Sequence, residues 1–436
     1  MIPTTLFAIR RICTGALQPV NSLHYQRAAV RYSSSEAGPP VETSSHQQTL
    51  HAELTSRPST TTLERLSETP QDLLKVSLAD FLPPSCLASI TDYLDPDSKL
   101  NELQAGTPKT PVQRAIPQGY HLAYFPPSVL DSGLLPDGTD TLHSPGAPFL
   151  RRLWAGGSLR FNPIEKHHMR MDQMATCQET ISDVNVKGIK GQENVFVTVE
   201  RQLATCRSSL AEKSLKKRAA SGNKMAETLL ALKYKNEDIF PLAAIETRNL
   251  VFMREKSKEE AKEDLLKTAK IVKPTHTPDF SVSLTPNAAL LFRFSALSFN
   301  AHRIHLDPQY TREVEGYRNL LVHGPLTLVL MLSVLRSQIE EGKMVLQFDY
   351  RNLAPLYVDE EMRICVRKDP TKQDRFDVWV EGKEGGYAVK GTATAGNVVL
   401  SDPKEAGKAS STTRKVSGPS GAPDHRGGAE KDKVDA

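Results

Sequence analysis

The stretch "LLVHGPLTLVLMLSVL", residues 320–335, most constrains how this chain can fold. Its apolar residues run on every side of a helix, so the segment must be enclosed by other structure. It is too short to cross a bilayer, which needs about 18 uninterrupted apolar residues, and it carries His, Gly and Pro near its start before ending at Arg336. The expectation is a buried core helix from about Pro325 to Glu341. What must wrap it is visible on both sides. "KMVLQFDYRNLAPLYVDEEMRICVRK" (343–368) reads as strands. In "RFDVWVEGKEGGYAVKGTATAG" (375–396), Phe376, Val378 and Val380 share one strand face and "EGKEGG" makes a hairpin. An antiparallel sheet laid over one long helix is an α+β arrangement.

Upstream, the pattern is similar but weaker. "NVFVTVERQL" (194–203) alternates Val195, Val197 and Val199 against Phe196, Thr198 and Glu200, with the period of a strand. "AIETRNLVFMRE" (244–255) reads as another strand. "GAPFLRRLWAGGSLRFN" (146–162) reads as a short helix-like segment joined to a strand through Gly156 and Gly157. The charged run from 255 to 280 is expected to be a surface helix and connector. In "SLTPNAALLFRFSAL", Thr285 can cap a helix that begins at Pro286.

The ends read differently. Residues 1–35 contain Arg10, Arg11, Arg27 and Arg31 and no acidic residue, and Ile2, Leu6, Ile9 and Cys13 fall on one helical face. That is the composition of a mitochondrial transit peptide, with a disordered basic tail as the alternative. Residues 36–68 and 401–436 are rich in Ser, Thr, Pro and Gly or Gln and poor in apolar groups, and are expected to be a disordered linker and tail. The organisation is then a first unit over 69–255, a connector over 256–282 and a second unit over 283–400.

A net charge of +4 over 436 residues gives no case for nucleic acid. The five cysteines form no CxxC pair and no metal-ligand spacing, which suits a reducing compartment. No dinucleotide loop, Walker motif or HExxH occurs, so neither a cofactor nor a metal is expected.

Chemistry concentrates in "SFNAHRIHLDP", residues 298–308, which sets Asn300, His302 and His305 within six positions. Histidine suits proton transfer because its pKa lies near neutral. Gly324 and Pro325 open the long helix, whose first N–H groups lack internal partners and stand at the positive end of the dipole. Each feature also has a plain structural explanation. A histidine at a helix boundary is commonly a cap or half-buried hydrogen-bonder. Ser298 could be a cap, Arg303 an ion-pair partner and Trp154 a core residue.

Taken together, "LFRFSALSFNAHRIHLDP", "LVHGPLTLVLM" and "YRNLAPLYVDEEMRI" resemble the MaoC-like hydratases and dehydratases of the hot-dog superfamily. Within these they resemble the fungal mitochondrial hydroxyacyl-thioester dehydratases of type 2. The resemblance is strong over 283–397 and looser over 70–255. It implies a double hot-dog fold, in which a degenerate first repeat binds the acyl chain and the second catalyses. The family loop reads Asp-x-Asn-Pro-x-His. Asn300 matches its asparagine and His305 its histidine, whereas Ser298 stands where the aspartate belongs and His302 lies in a two-residue insertion. The resemblance implies His305 as the base at C2. His302, or a water it holds, would serve the leaving hydroxyl, with Asn300 and more weakly Ser298 fixing that water. It also implies the Gly324 amide as donor to the thioester oxygen, with His323 orienting the turn. Trp154 could line an acyl tunnel, and Arg303 could meet a phosphopantetheine phosphate.

The implied activity is dehydration of (3R)-3-hydroxyacyl thioesters, carried on acyl carrier protein, in mitochondrial type II fatty acid synthesis. Neither nucleic acid nor a membrane span is implied, and monomer and homodimer both stay open. A CoA-thioester hydratase of the same fold, and a catalytically silent acyl-thioester-binding subunit, remain open as alternatives. A thioesterase is disfavoured, since that branch generally needs an acidic residue on the central helix and the residues after Pro325 are Leu, Thr, Leu, Val and Leu.

Overall fold

A computed structural model describes residues 43–87, 115–189, 191–205, 242–267 and 271–400. The expected transit peptide (1–35) and tail (401–436) lie outside the described residues.

Among the described residues ten strands form a single antiparallel sheet. The first half contributes β1 (Thr60–Arg65), β2 (Arg151–Phe161), β3 (Met174–Lys187), β4 (Asn194–Thr205) and β5 (Leu242–Met253). The second contributes β6 (Phe280–Leu284), β7 (Lys343–Asn352), β8 (Met362–Lys368), β9 (Arg375–Glu381) and β10 (Tyr387–Asn397). The spatial order is β1-β3-β4-β5-β2-β7-β10-β9-β8-β6. Each half, followed inward from its own outer edge, repeats one sequence of strands, first-third-fourth-fifth-second. This repetition, with α6 packed on the sheet, is the double hot dog.

Among the described residues six α-helices accompany the sheet: α1 (Thr43–Thr55), α2 (Glu68–Leu78), α3 (Lys258–Leu266), α4 (Ala288–Ser298), α5 (Pro308–Glu313) and α6 (Gly324–Arg336). α6 is the core helix the apolar run demands. Leu326, Leu328, Val329, Leu330, Met331, Leu332, Val334 and Leu335 are all buried, against β7, β8 and β9 and also β2. Each such side chain contributes about 1.5–3 kcal/mol relative to exposure. The helix stops at Arg336, short of the expected Glu341, where the guanidinium turns to the Gln118 carbonyl. The β9–β10 hairpin and the alternation along β4 agree with the sequence reading, with Val195, Val197 and Val199 buried.

Three expectations need correction. The supposed linker, 36–68, holds α1 and β1 over its described part, and β1 pairs with β3 from Thr60↔Glu179 to Arg65↔Met174. α1 is polar throughout, but Leu50 and Leu54, one turn apart, insert into an apolar cluster with Val184, Val195, Val197 and Phe252. Residues 151–161 are strand throughout rather than part helix, because β5 and β7 pair with them from both sides. Asn287, not Thr285, caps α4, its Oδ1 accepting from Leu290 N at 2.8 Å. The charged connector does contain a surface helix, α3, closed by a Ser257/Glu260 capping box.

The halves meet where β2 pairs with β7, from Gly156↔Arg351 to Arg160↔Gln347. Gly157 sits in that seam with no room for a side chain. An added Cβ would overlap the Thr247 carbonyl oxygen on β5 and lie 3.3 Å from the Tyr350 hydroxyl on β7. Gly157→Ala should therefore lower stability by about 1–3 kcal/mol, read as a fall in the urea midpoint at unchanged slope.

Candidate active site

A cavity of about 810 Å³ opens between the halves. Leu122, Phe125, Val129, Leu142 and Leu250 from the first half give it an apolar wall. Asn300, His302, His305 and Gly324 from the second give it a polar end. An apolar chamber with a few convergent polar groups is the usual make-up of a small-molecule site.

The 298–308 loop is shaped by its own residues. α4 ends at Phe299, which takes a left-handed conformation (φ 50°) and turns the chain toward the cavity. Asn300 Oδ1 accepts from His302 N at 3.1 Å, forming an Asx turn that fixes the loop and leaves the Asn300 amide on the cavity wall. A short 3-10 turn (Arg303–His305) follows. Asp307 then caps α5, accepting from Tyr310 N at 3.0 Å.

His305 is buried, and its Nδ1 lies 2.7 Å from the Leu321 carbonyl oxygen. A carbonyl can only accept, so Nδ1 carries the proton and Nε2 keeps its lone pair. Burial pulls the ring down to about 4 despite that hydrogen bond, so it is neutral near pH 7 and can accept a proton. His323, fully buried, stacks on it with ring centroids 3.6 Å apart at 22°, and its Nε2 lies 2.9 Å from Ser295 Oγ. His323 therefore supports the His305 ring from behind and stays out of the cavity lining.

His302 meets His305 edge to face, with centroids 5.5 Å apart. It too is held neutral by burial, and then by the His305 and arginine charges near it. Its Nε2 lies 3.4 Å from Oδ2 of Asp137, a residue of the first half that sequence reasoning missed.

Gly324 begins α6 on the cavity wall. A Cβ there would stand 2.9 Å from Trp154 Cβ and 3.2 Å from Asn352 Nδ2, so only glycine lets the helix terminus come this close to β2. Its N–H belongs to the first turn, which has no intrahelical acceptor, and can donate to an oxygen bound in the cavity. Trp154 lines the cavity as the sequence allowed. Its Nε1 donates to Tyr350 Oη at 2.8 Å, and the Arg248 guanidinium, gripped by both Glu246 oxygens, lies 5.0 Å over its ring.

Two candidates fall outside this constellation. Ser298 borders the cavity, but its hydroxyl donates to the Phe294 carbonyl at 2.7 Å, closing the last turn of α4. Arg303 does not line the cavity. It pairs with Asp307 at 2.7 Å and covers the Tyr310 ring. Among the described residues no group of three or more His, Cys, Asp or Glu is placed to hold a metal, and no helix is long and apolar enough to cross a membrane.

The chain matches the sequence model of hydroxyacyl-thioester dehydratase type 2 over residues 119–219 and 202–358. It belongs to that family. Hydroxyacyl-thioester dehydratase type 2, mitochondrial, of Schizosaccharomyces pombe is 29% identical over 306 residues, 69% of this chain and 87% of that protein. The mesaconyl-C(4)-CoA hydratase of Chloroflexus aurantiacus is also 29% identical, over 64% of this chain and 84% of that one. A MaoC-like dehydratase structure from Phytophthora capsici aligns with 79% of this chain and 98% of its own, at 11% identity and a TM-score of 0.47. By its family the protein is a hydro-lyase, with hydratase/dehydratase chemistry.

Buried neutral histidines tie stability to pH. A histidine whose folded pKa is depressed binds its proton in the unfolded chain first, so stability is lost as pH falls from about 6.5 toward 4. Each such ring costs up to about 1.4 kcal/mol per pH unit in that window. Denaturant midpoints should fall across it, and His305→Gln should make the fall shallower.

Proposed function

We propose that this dehydratase-family protein converts (3R)-3-hydroxyacyl thioesters to trans-2-enoyl thioesters, and catalyses the reverse hydration, with His305 as the base at C2. The observation that carries this reading is the His305 ring. Its Nδ1–H is engaged by Leu321 O, and it sits in a cavity that also receives the N-terminus of α6.

The steps balance as follows. The C2–H bond breaks and its proton passes to His305 Nε2. The electron pair moves toward the thioester oxygen, which the Gly324 N–H stabilises as an enolate-like centre. The C3–O bond then breaks, and the leaving hydroxyl takes a proton delivered from solvent through His302, with the Asn300 amide holding the oxygen that becomes water. His305 then releases the C2 proton to solvent, so water is the net loss. His323 orients the His305 ring and the turn into α6. Trp154 borders the acyl channel, and the apolar wall of the first half accommodates the chain. Ser298 acts only through the helix end it closes, and Arg303 through the loop it braces.

The acyl group is carried on acyl carrier protein in mitochondrial type II fatty acid synthesis. This assignment is supported by the acid-free, arginine-bearing composition of residues 1–35 and by the mitochondrial names of the Schizosaccharomyces pombe and Saccharomyces cerevisiae relatives. A second reading, hydration of a CoA thioester, is favoured by the equal identity to the mesaconyl-C(4)-CoA hydratase.

Enoyl-thioester absorbance should follow turnover of a (3R)-3-hydroxyacyl group on acyl carrier protein and on CoA, with higher kcat/KM on the carrier protein. His305→Ala should lower kcat by about 10²–10⁴-fold with the fold intact. Preference for CoA would select the second reading, and no turnover on either would leave a silent acyl-thioester-binding subunit.

A further inference from the structure

The Asp137–Thr139 turn of the first half is docked against the loop bearing the histidines. The Asp137 carbonyl accepts from Arg303 N at 2.8 Å. Gly138 (φ 83°) lies so close that an added Cβ would overlap the Ala301 carbonyl oxygen. The side chain of Asp137 is 5% exposed, and its two oxygens are treated differently. Oδ1 accepts from Thr139 N at 2.8 Å and from Thr139 Oγ1 at 2.7 Å. Oδ2 is buried with no hydrogen bond among the described residues, and the polar atom it faces is His302 Nε2, 3.4 Å away.

A buried carboxylate oxygen without a partner costs free energy unless the site uses it. Here the threonine bonds fix the rotation of the carboxylate so that Oδ2 points at His302, whose ring, unlike that of His305, has no backbone carbonyl setting its tautomer among the described residues. The same half of the chain that lines the acyl wall thereby reaches into the proton-transfer machinery. It does so next to a loop whose own expected acidic position is occupied by Ser298, with its hydroxyl bonded to the helix.

We infer that Asp137 is the carboxylate of the active site: a positioning residue, contributed by the first hot dog, that holds the His302 ring and stabilises it while it carries a proton to or from the C3 oxygen. The inference rests on the dehydratase reading above. In hydration the neutral His302 ring takes a proton from the attacking water, and Asp137 balances the positive charge that develops on it. In dehydration the ring, protonated from solvent beside Asp137, returns that proton to the leaving oxygen and ends neutral. The carboxylate receives no covalent bond and touches no substrate atom. Other charges facing this pair are His305 on the same loop, Arg151 and Arg152 on β2, and Glu315 after α5.

The test is Asp137→Asn in the full chain, which keeps the size of the group and an oxygen for Thr139. Expected is a fall in kcat of about 10–100-fold with KM within about threefold, and no further fall when the substitution is added to His302→Gln. Nitrogen-15 NMR of the histidine rings gives a readout independent of turnover. The His302 ring should titrate about one pH unit lower in Asp137→Asn than in the wild type, since an adjacent carboxylate raises the pKa of an imidazole. A kcat within twofold of wild type, or losses that simply multiply in the double variant, would overturn the inference. If the wild type turns over no thioester, the dehydratase reading fails separately. The ring titration then still decides: an unchanged His302 rejects the pairing and a lowered one supports it. Should Asp137→Asn not fold, Thr139→Val retains the carboxylate but loosens it, and should reduce kcat about two- to tenfold.

Discussion

The pairing of β2 with β7 is the contact on which the rest of this molecule depends. It turns two five-stranded sheets into one, and residues of both halves line one cavity. It also brings Trp154, on a strand of the first half, against Gly324 at the start of the second half's core helix. A helix terminus is useful to a developing anion only if nothing covers its first N–H groups. The glycine allows the close approach, and the Trp154 indole, anchored by Tyr350 and Arg248, gives the terminus a fixed wall to work against.

Around that terminus the site is arranged by burial more than by charge. His305, His302 and His323 form a contiguous cluster of rings that desolvation holds neutral. Each is given a different task by what its nitrogens meet: a backbone carbonyl for His305, Ser295 for His323 and the face of Asp137 for His302. In the proposed mechanism these partners make one ring a base, one a support and one a proton carrier.

Much of this was legible in the sequence. The α6 run could only be a core helix, the alternation of Val195, Val197 and Val199 and of Phe376, Val378 and Val380 marked strands, and the order of Asn300, His302, His305 and Gly324 located the polar end of the cavity. The roles within it were less legible, because a hydroxyl or guanidinium in a loop has several local partners to choose from. Ser298 and Arg303 took the nearest ones, Phe294 O and Asp307. Asp137 could not be read at all. "LPDGTD" carries the ordinary signature of a turn, and its contact with a loop 165 positions later follows no period. α1 escaped for a related reason: two leucines one turn apart suffice to seat a helix whose remaining surface is polar.

The central claim is that His305 removes the C2 proton inside a cavity built by both halves. Running the reaction in deuterated water, with the product examined by NMR for deuterium at C2, tests it most directly. The account predicts stereospecific exchange at C2 by the wild-type protein and by His302→Gln, and its loss in His305→Ala. Exchange that persists undiminished in His305→Ala would contradict it.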